Sequence, residues 1–152
     1  MGRIACKDWG FAFRSHEKRG HTAGPILLRR HTIVGAELLA RIPFFAQVHP
    51  LVRSCHEHWD GGGYPDGLRE SLIPRGARII LACDALSAMT TDRPYRRRRA
   101  RAEALRELQR GSGSQFDPAV IDAVVAESDL LVARQTAGLL PTLDSIPEKP
   151  ST

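Results

Sequence analysis

Cys55-His56-Glu57-His58-Trp59-Asp60-Gly61-Gly62-Gly63-Tyr64-Pro65 is the stretch on which the fold of this chain turns. Two kinds of sequence meet in it. Val48, Leu51, Val52, Cys55 and Trp59 recur at three- and four-residue steps and predict a helix over 46–59. After Trp59, Asp60-Gly61-Gly62-Gly63 stops regular structure, and Tyr64-Pro65-Asp66-Gly67 has the chemistry of a turn. A long loop is therefore expected as far as Ile73.

Helical patterns lie on both sides. Upstream, Pro25 suits a first helical residue, and Leu27, His31, Val34, Leu38 and Ile42 form a single stripe that Pro43 ends. Downstream, Pro74 opens a third helix to about Thr91, which Ile79, Ile80, Cys83, Leu86 and Met89 mark as largely buried. A fourth helix is expected over Arg98–Arg110, with Ala100, Ala104, Leu105 and Leu108 inward. Asp117-Pro118 reads as the N-cap and first residue of a fifth, which runs to about Val132 through Val120, Ile121, Val124 and Val125. No strand pattern and no internal repeat is found. The predicted class is all-α, a helical bundle of about five helices with one long loop. Residues 1–24 are expected to be a poorly ordered segment, 25–134 the helical domain, and 135–152, with Pro141, Pro147 and Pro150, a disordered tail.

Composition narrows the function classes. The chain has 152 residues, 42% hydrophobic and 26% charged, which suits one soluble domain with a real core. No stretch approaches the roughly 18 apolar residues of a membrane span, and the first residues have no signal-peptide core. A cytoplasmic protein is expected. Cys6, Cys55 and Cys83 are odd in number and widely spaced, which argues against a disulfide framework and against a zinc ribbon. Cys83, in an apolar run, reads as a small buried hydrophobe. The net charge is +5 and suggests an anionic partner. The cluster Arg96 to Arg101 lacks interleaved aromatics, so a solvated helix start is favoured over a nucleic-acid site.

Four polar residues interrupt the apolar faces: His31 on the first stripe, Cys55 and His56 near the end of the second, and Asp84 inside the third. A buried unpaired carboxylate is costly and normally meets a cation or several donors. Histidines and carboxylates converging from different helices are how bundles hold divalent metals. For each residue taken singly a bland role is the stronger reading, a core histidine bonded to a carbonyl or an aspartate capping a helix or paired with an arginine. Periodicity leaves both readings standing.

Beyond periodicity, the opening run resembles the HD-GYP family pattern His-His-Glu-x-x-Asp-Gly-x-Gly-Tyr-Pro, with Cys55 as its one mismatch. Arg30-His31-Thr32 followed by Gly35 resembles the family's RHT helix, and Arg78-Ile79 through Met89-Thr90 its R-I-x-x-x-x-D helix. Arg93-Pro94-Tyr95-Arg96 and Gln115-Phe116-Asp117-Pro118 match two further motifs, all in family order over residues 25–125. The resemblance implies an HD-type bundle and a metal-dependent phosphodiesterase acting on cyclic di-GMP or a related cyclic dinucleotide. It implies a divalent transition metal, iron or manganese, with His31, Cys55, His56 and Asp84 in ligand positions. Gly63, Tyr64 and Pro65 would shape the substrate mouth, and Arg93 and Arg96 would grip phosphate, as a planar guanidinium does.

The same likeness shows departures. The His-Asp pair that names the family is absent, and Gly2-Arg3-Ile4-Ala5 looks like the residues just after it, with Arg3 standing for a lysine that assists at the phosphate. Met1 is then expected to be an internal start of a longer frame or the edge of a truncated copy. Cys55 replaces a histidine, Ser87 an aspartate, and His58 an arginine. These changes predict sub-stoichiometric metal and impaired hydrolysis. The alternative is a degenerate module that binds partners such as diguanylate cyclases or response-regulator proteins.

Overall fold

The computed structural model describes residues 23–92 and 97–137, with side chains described from Arg29 onward except at Gln135. The predicted N-terminal segment and the tail lie almost wholly outside these residues. Five α-helices are described: α1 (Ala23–Ala40), α2 (His49–Ser54), α3 (Arg75–Thr90), α4 (Arg101–Arg110) and α5 (Pro118–Thr136). Two 3-10 turns, Pro43–Phe45 and Glu70–Leu72, flank α2 and its loop. Among the described residues there is no strand, only an isolated bridge between Ser112 and Phe116, and no helix is long and apolar enough to cross a membrane. Contacts divide the chain into a unit ending at Ile121 and a second beginning at Asp122. The first unit holds α1 to α4, the loop after α2 and the start of α5.

α1 forms where expected but buries another face. Thr32 and Ala36 are buried, whereas Val34, Leu38 and Ile42 of the predicted stripe are 45%, 60% and 47% exposed, and His31 is exposed too. The inward face is made of small residues. A Cβ on Gly35 would come within 3.2 Å of Val52 Cγ1 on α2, so the two backbones approach closely there. Periodicity of large apolar residues cannot detect a face selected by smallness.

α2 is much shorter than the helix predicted over 46–59. Its C-cap is Cys55. Beyond it the backbone finds partners elsewhere: Glu57 N–H tightens back to Ser54 O at 3.1 Å, Trp59 N–H goes to Gln115 O at 3.2 Å, and Asp60 N–H to Ser114 O at 2.8 Å. Donors committed to the 111–116 turn cannot continue a helix.

α3 buries Ala77, Leu81, Ala82, Ala88 and Met89. Ile79 and Ile80 are each 42% exposed, and Cys83 is exposed, contrary to the expectation of a largely buried helix with Cys83 in its core. As in α1, alanines form the close-packed side. Ala104 and Leu108 of α4 are fully buried, with Ile73, Phe116 and Ile121 completing the centre of the core.

Asp117 caps α5 as predicted, its Oδ1 accepting Ala119 N–H at 2.9 Å. Its Oδ2 accepts Arg78 Nη1–H at 2.6 Å, so one buried carboxylate both starts α5 and ties it to α3. The Arg78 guanidinium also lies 5.6 Å from the centroid of the Trp59 ring. The loop after α2 is thereby braced from α3 as well as from the 111–116 turn.

Candidate functional site

The loop that follows α2 is organised around a buried carboxylate. Glu57 is 1% exposed. Its Oε1 accepts the N–H groups of Asp66 and Gly67 at 2.6 and 3.1 Å, and its Oε2 that of Leu68 at 3.1 Å. A carboxylate buried without a cation must be satisfied by donors, and three backbone amides supply them. On the outside, Arg53 of α2 grips Asp66 with two bonds of 2.7 Å, which holds the Asp66 carboxyl below its usual range.

Within this frame the backbone folds back sharply. Tyr64 N–H donates to His56 O at 3.1 Å. A Cβ on Gly63 would stand 2.2 Å from His58 N and 2.5 Å from Glu57 Cα, so only glycine fits beneath the crossing strand of loop. Gly61 has φ +77°, a conformation that favours glycine. The Tyr64–Pro65 peptide is cis.

The fold-back sets Tyr64 on His56, ring centroids 5.2 Å apart and planes 29° from parallel. His56 meets His31 of α1 with Nε2 to Nε2 at 3.2 Å, the rings nearly edge to face. Burial, then the neighbouring His31 and His58, lower the His56 pKa from 6.5 to about 4. His56 is therefore neutral near pH 7, the form in which imidazole binds metals. Two nitrogens each about 2.1 Å from one metal lie roughly 3–3.4 Å apart, so the spacing of this pair fits two ligand positions on one ion.

The other predicted ligands are placed differently. Cys55 is half-buried and its Sγ–H donates to Val52 O at 3.1 Å. Burial raises its pKa, and the charge of Asp84 raises it further, which favours a thiol over a thiolate. Asp84 sits half-buried on α3. Among the described residues, no three of His, Cys, Asp and Glu gather as a set able to hold a metal. The structure thus brings His31, His56 and Tyr64 together, with Gly63 packed against the Glu57–His58 backbone. Arg3, Arg93 and Arg96 lie outside the described residues.

Sequence reasoning misses Glu57 and the Arg78–Asp117 pair as structural centres. Their residues stand inside quoted motifs, but Glu57 acts on backbone amides nine to eleven positions away, and amides carry no side-chain signature. It passes over Arg29 as well. The Arg29 guanidinium carbon is 5.3 Å from the Tyr64 ring centroid.

Residues 17–120 match the family described as HD domain. A cyclic di-GMP phosphodiesterase of Thermotoga maritima is 35% identical over 99 residues, 64% of this chain and 27% of the relative. A cyclic di-GMP phosphodiesterase response regulator, RpfG, of Xanthomonas campestris pv. campestris is 39% identical over 101 residues, 65% of this chain and 27% of the relative. A crystal structure of a cyclic GMP-AMP specific phosphodiesterase of V. cholerae superposes with a TM-score of 0.60 at 28% identity, covering 76% of this chain and 26% of that one. The chain spans about a quarter of the length of these relatives.

Proposed function

Because this chain belongs to the HD domain family, in its HD-GYP branch, we propose that it is the core of a metal-dependent phosphodiesterase that hydrolyses cyclic di-GMP or a related cyclic dinucleotide. The observation that supports this most is the His31–His56 pair, Nε2 to Nε2 at 3.2 Å, beside a tyrosine fixed by a firmly anchored loop.

His31 and His56 would hold a divalent metal, iron or manganese, as two of its ligands; the family resemblance adds Asp84 of α3 and Cys55, which the described residues do not gather with the pair. When bound, the metal supplies Lewis-acid activation of water and of the phosphodiester. The chain's own residues do the rest. His56 is already neutral and offers its lone pair without first losing a proton. Glu57 keeps the loop closed, so that Gly63, Tyr64 and Pro65 form a fixed wall of the substrate mouth. Arg93 and Arg96 would grip a phosphate, and Arg3 would assist there. Cytoplasmic location follows from a cyclic-dinucleotide substrate.

The test is hydrolysis of cyclic di-GMP by the Mn²⁺-loaded chain, alongside Mn²⁺ affinity of the His56→Ala and Asp84→Ala variants. Loss of hydrolysis in both, with metal affinity reduced by more than the 10–100-fold of an outer-shell change, is the expected result. Activity that survives Asp84→Ala would remove Asp84 from the site.

Two observations favour a second reading, a degenerate module that binds a diguanylate cyclase or a response-regulator protein. Cys55 is bonded back to Val52 O, and the described residues offer no three-member ligand set. Mass spectrometry that finds no iron or manganese, with no hydrolysis and a co-purifying partner of that kind, would support it.

A further inference from the structure

Arg29 lies two residues before His31 on α1, and its side chain is exposed. Its guanidinium stands 5.3 Å from the centroid of Tyr64, Tyr64 stacks on His56 at 5.2 Å, and His56 meets His31 at 3.2 Å. A positive charge is thus parked beside the proposed metal ligands by an aromatic ring of the anchored loop. The adjacent buried carboxylate, Glu57, spends its oxygens on the amides of Asp66, Gly67 and Leu68. An arginine resting on an aromatic face has already lost part of its rotamer freedom, so less is lost when it engages a ligand. Its planar fork of N–H donors matches the oxygens of a phosphodiester.

We infer that Arg29 is a phosphate-positioning residue of this site, held ready by Tyr64, and that it takes one phosphodiester of a cyclic dinucleotide through its N–H fork. The inference deepens the proposed function and rests on it. It assigns Tyr64 a task besides walling the mouth: it presents the guanidinium. A purely structural Arg29 would instead brace the loop by packing on Tyr64. The two roles differ in what they do to ligand affinity, and in whether a lysine, which keeps the charge but not the fork, recovers it.

The experiment uses the full chain with Arg29→Ala, Arg29→Lys, Tyr64→Leu and the Arg29→Ala/Tyr64→Leu double variant. Cyclic di-GMP binding is measured by calorimetry with metal chelated, so no turnover is needed, and KM and kcat are measured with Mn²⁺. Loss of a charge-assisted contact predicts about tenfold weaker binding in Arg29→Ala. KM should rise in step while kcat changes little. Arg29→Lys should recover part of the affinity, and the double variant should bind no worse than the poorer single one, because both act through one group. Wild-type affinity in Arg29→Ala, or affinity lost only in proportion to a lowered denaturation midpoint, overturns the inference and leaves the phosphodiesterase reading intact. A wild-type chain that neither binds nor hydrolyses cyclic di-GMP overturns that reading, and the role of Arg29 with it.

Discussion

Replacing Glu57 with alanine would strand three backbone N–H groups at once. The amides of Asp66, Gly67 and Leu68 all donate to this one carboxylate, at 2.6 to 3.1 Å. Bonds to a charged acceptor are worth about 1.5–3 kcal/mol each, so a simple sum would reach about 5–9 kcal/mol. Two effects lower it. Asp66 and Gly67 are exposed, so water reaches their amides once the carboxylate is gone. Removing a buried charge also recovers part of the cost of its desolvation. The expected loss is about 2–4 kcal/mol, with the loop rather than the core opening first. Glu57→Gln should cost less, about 1–2 kcal/mol, because its amide oxygen still serves one pair of donors while its NH₂ faces a third. Denaturant unfolding followed by circular dichroism gives the totals. Hydrogen exchange at the three amides gives the location, with protection lost in the alanine variant and partly kept in the glutamine one. A Glu57→Ala chain destabilised by less than about 0.5 kcal/mol, with those amides still protected, would refute the assignment of Glu57 as the loop's anchor.

Other expectations rest on the same geometry. Gly63→Ala puts a Cβ against backbone at 2.2 to 2.6 Å, atoms that cannot rotate away. It should cost about 2–4 kcal/mol and move the Tyr64 ring resonances in NMR; wild-type stability would show that the crossing is looser. Arg53→Ala breaks a two-bond clasp on Asp66, but the pair is exposed, so it should cost under about 1 kcal/mol, read as a small shift of denaturation midpoint. In the metal-free chain, unfolded His56 takes up a proton near pH 6.5 and folded His56 only near 4. Stability from this group is full above pH 6.5 and falls as pH drops toward 4, by about 1–2 kcal/mol after discounting for partial exposure. Midpoints at about pH 7 and about pH 4.5, either side of most of that window, should therefore differ less in His56→Gln than in the wild type; an equal difference in both would sink the assignment.

Helix number and order were legible in the sequence because proline, glycine and capping aspartate act locally: Pro43 ends one helix, Pro74 precedes another, and Asp117-Pro118 starts the last. The family likeness was legible for a related reason. Motifs such as Cys55 to Pro65 crowd their chemistry into adjacent residues. The buried face was legible in α4, where Ala104 and Leu108 are inward as expected, and at Val120 and Ile121 of α5, but not in α1 and only in part in α3. In α1 the described inward side is Thr32, Gly35 and Ala36, and in α3 Ala77, Ala82 and Ala88 share it with Leu81 and Met89, while Val34, Leu38, Ile79 and Ile80 remain exposed.

Residue type and short-range spacing were enough for the all-α class, the loop after α2 and the candidacy of His31 and His56, while Tyr64 became a candidate only through the family resemblance. Only the tertiary structure decided that α2 stops at Ser54, because amides at Trp59 and Asp60 are taken by carbonyls at Gln115 and Ser114. It alone set His31 against His56 and Arg29 over Tyr64. Those contacts depend on how closely α1 approaches α2 and on the loop folding back around Glu57. The first is settled by packing between separate helices and the second by backbone amides nine to eleven residues from Glu57, and neither leaves a side-chain pattern in the sequence.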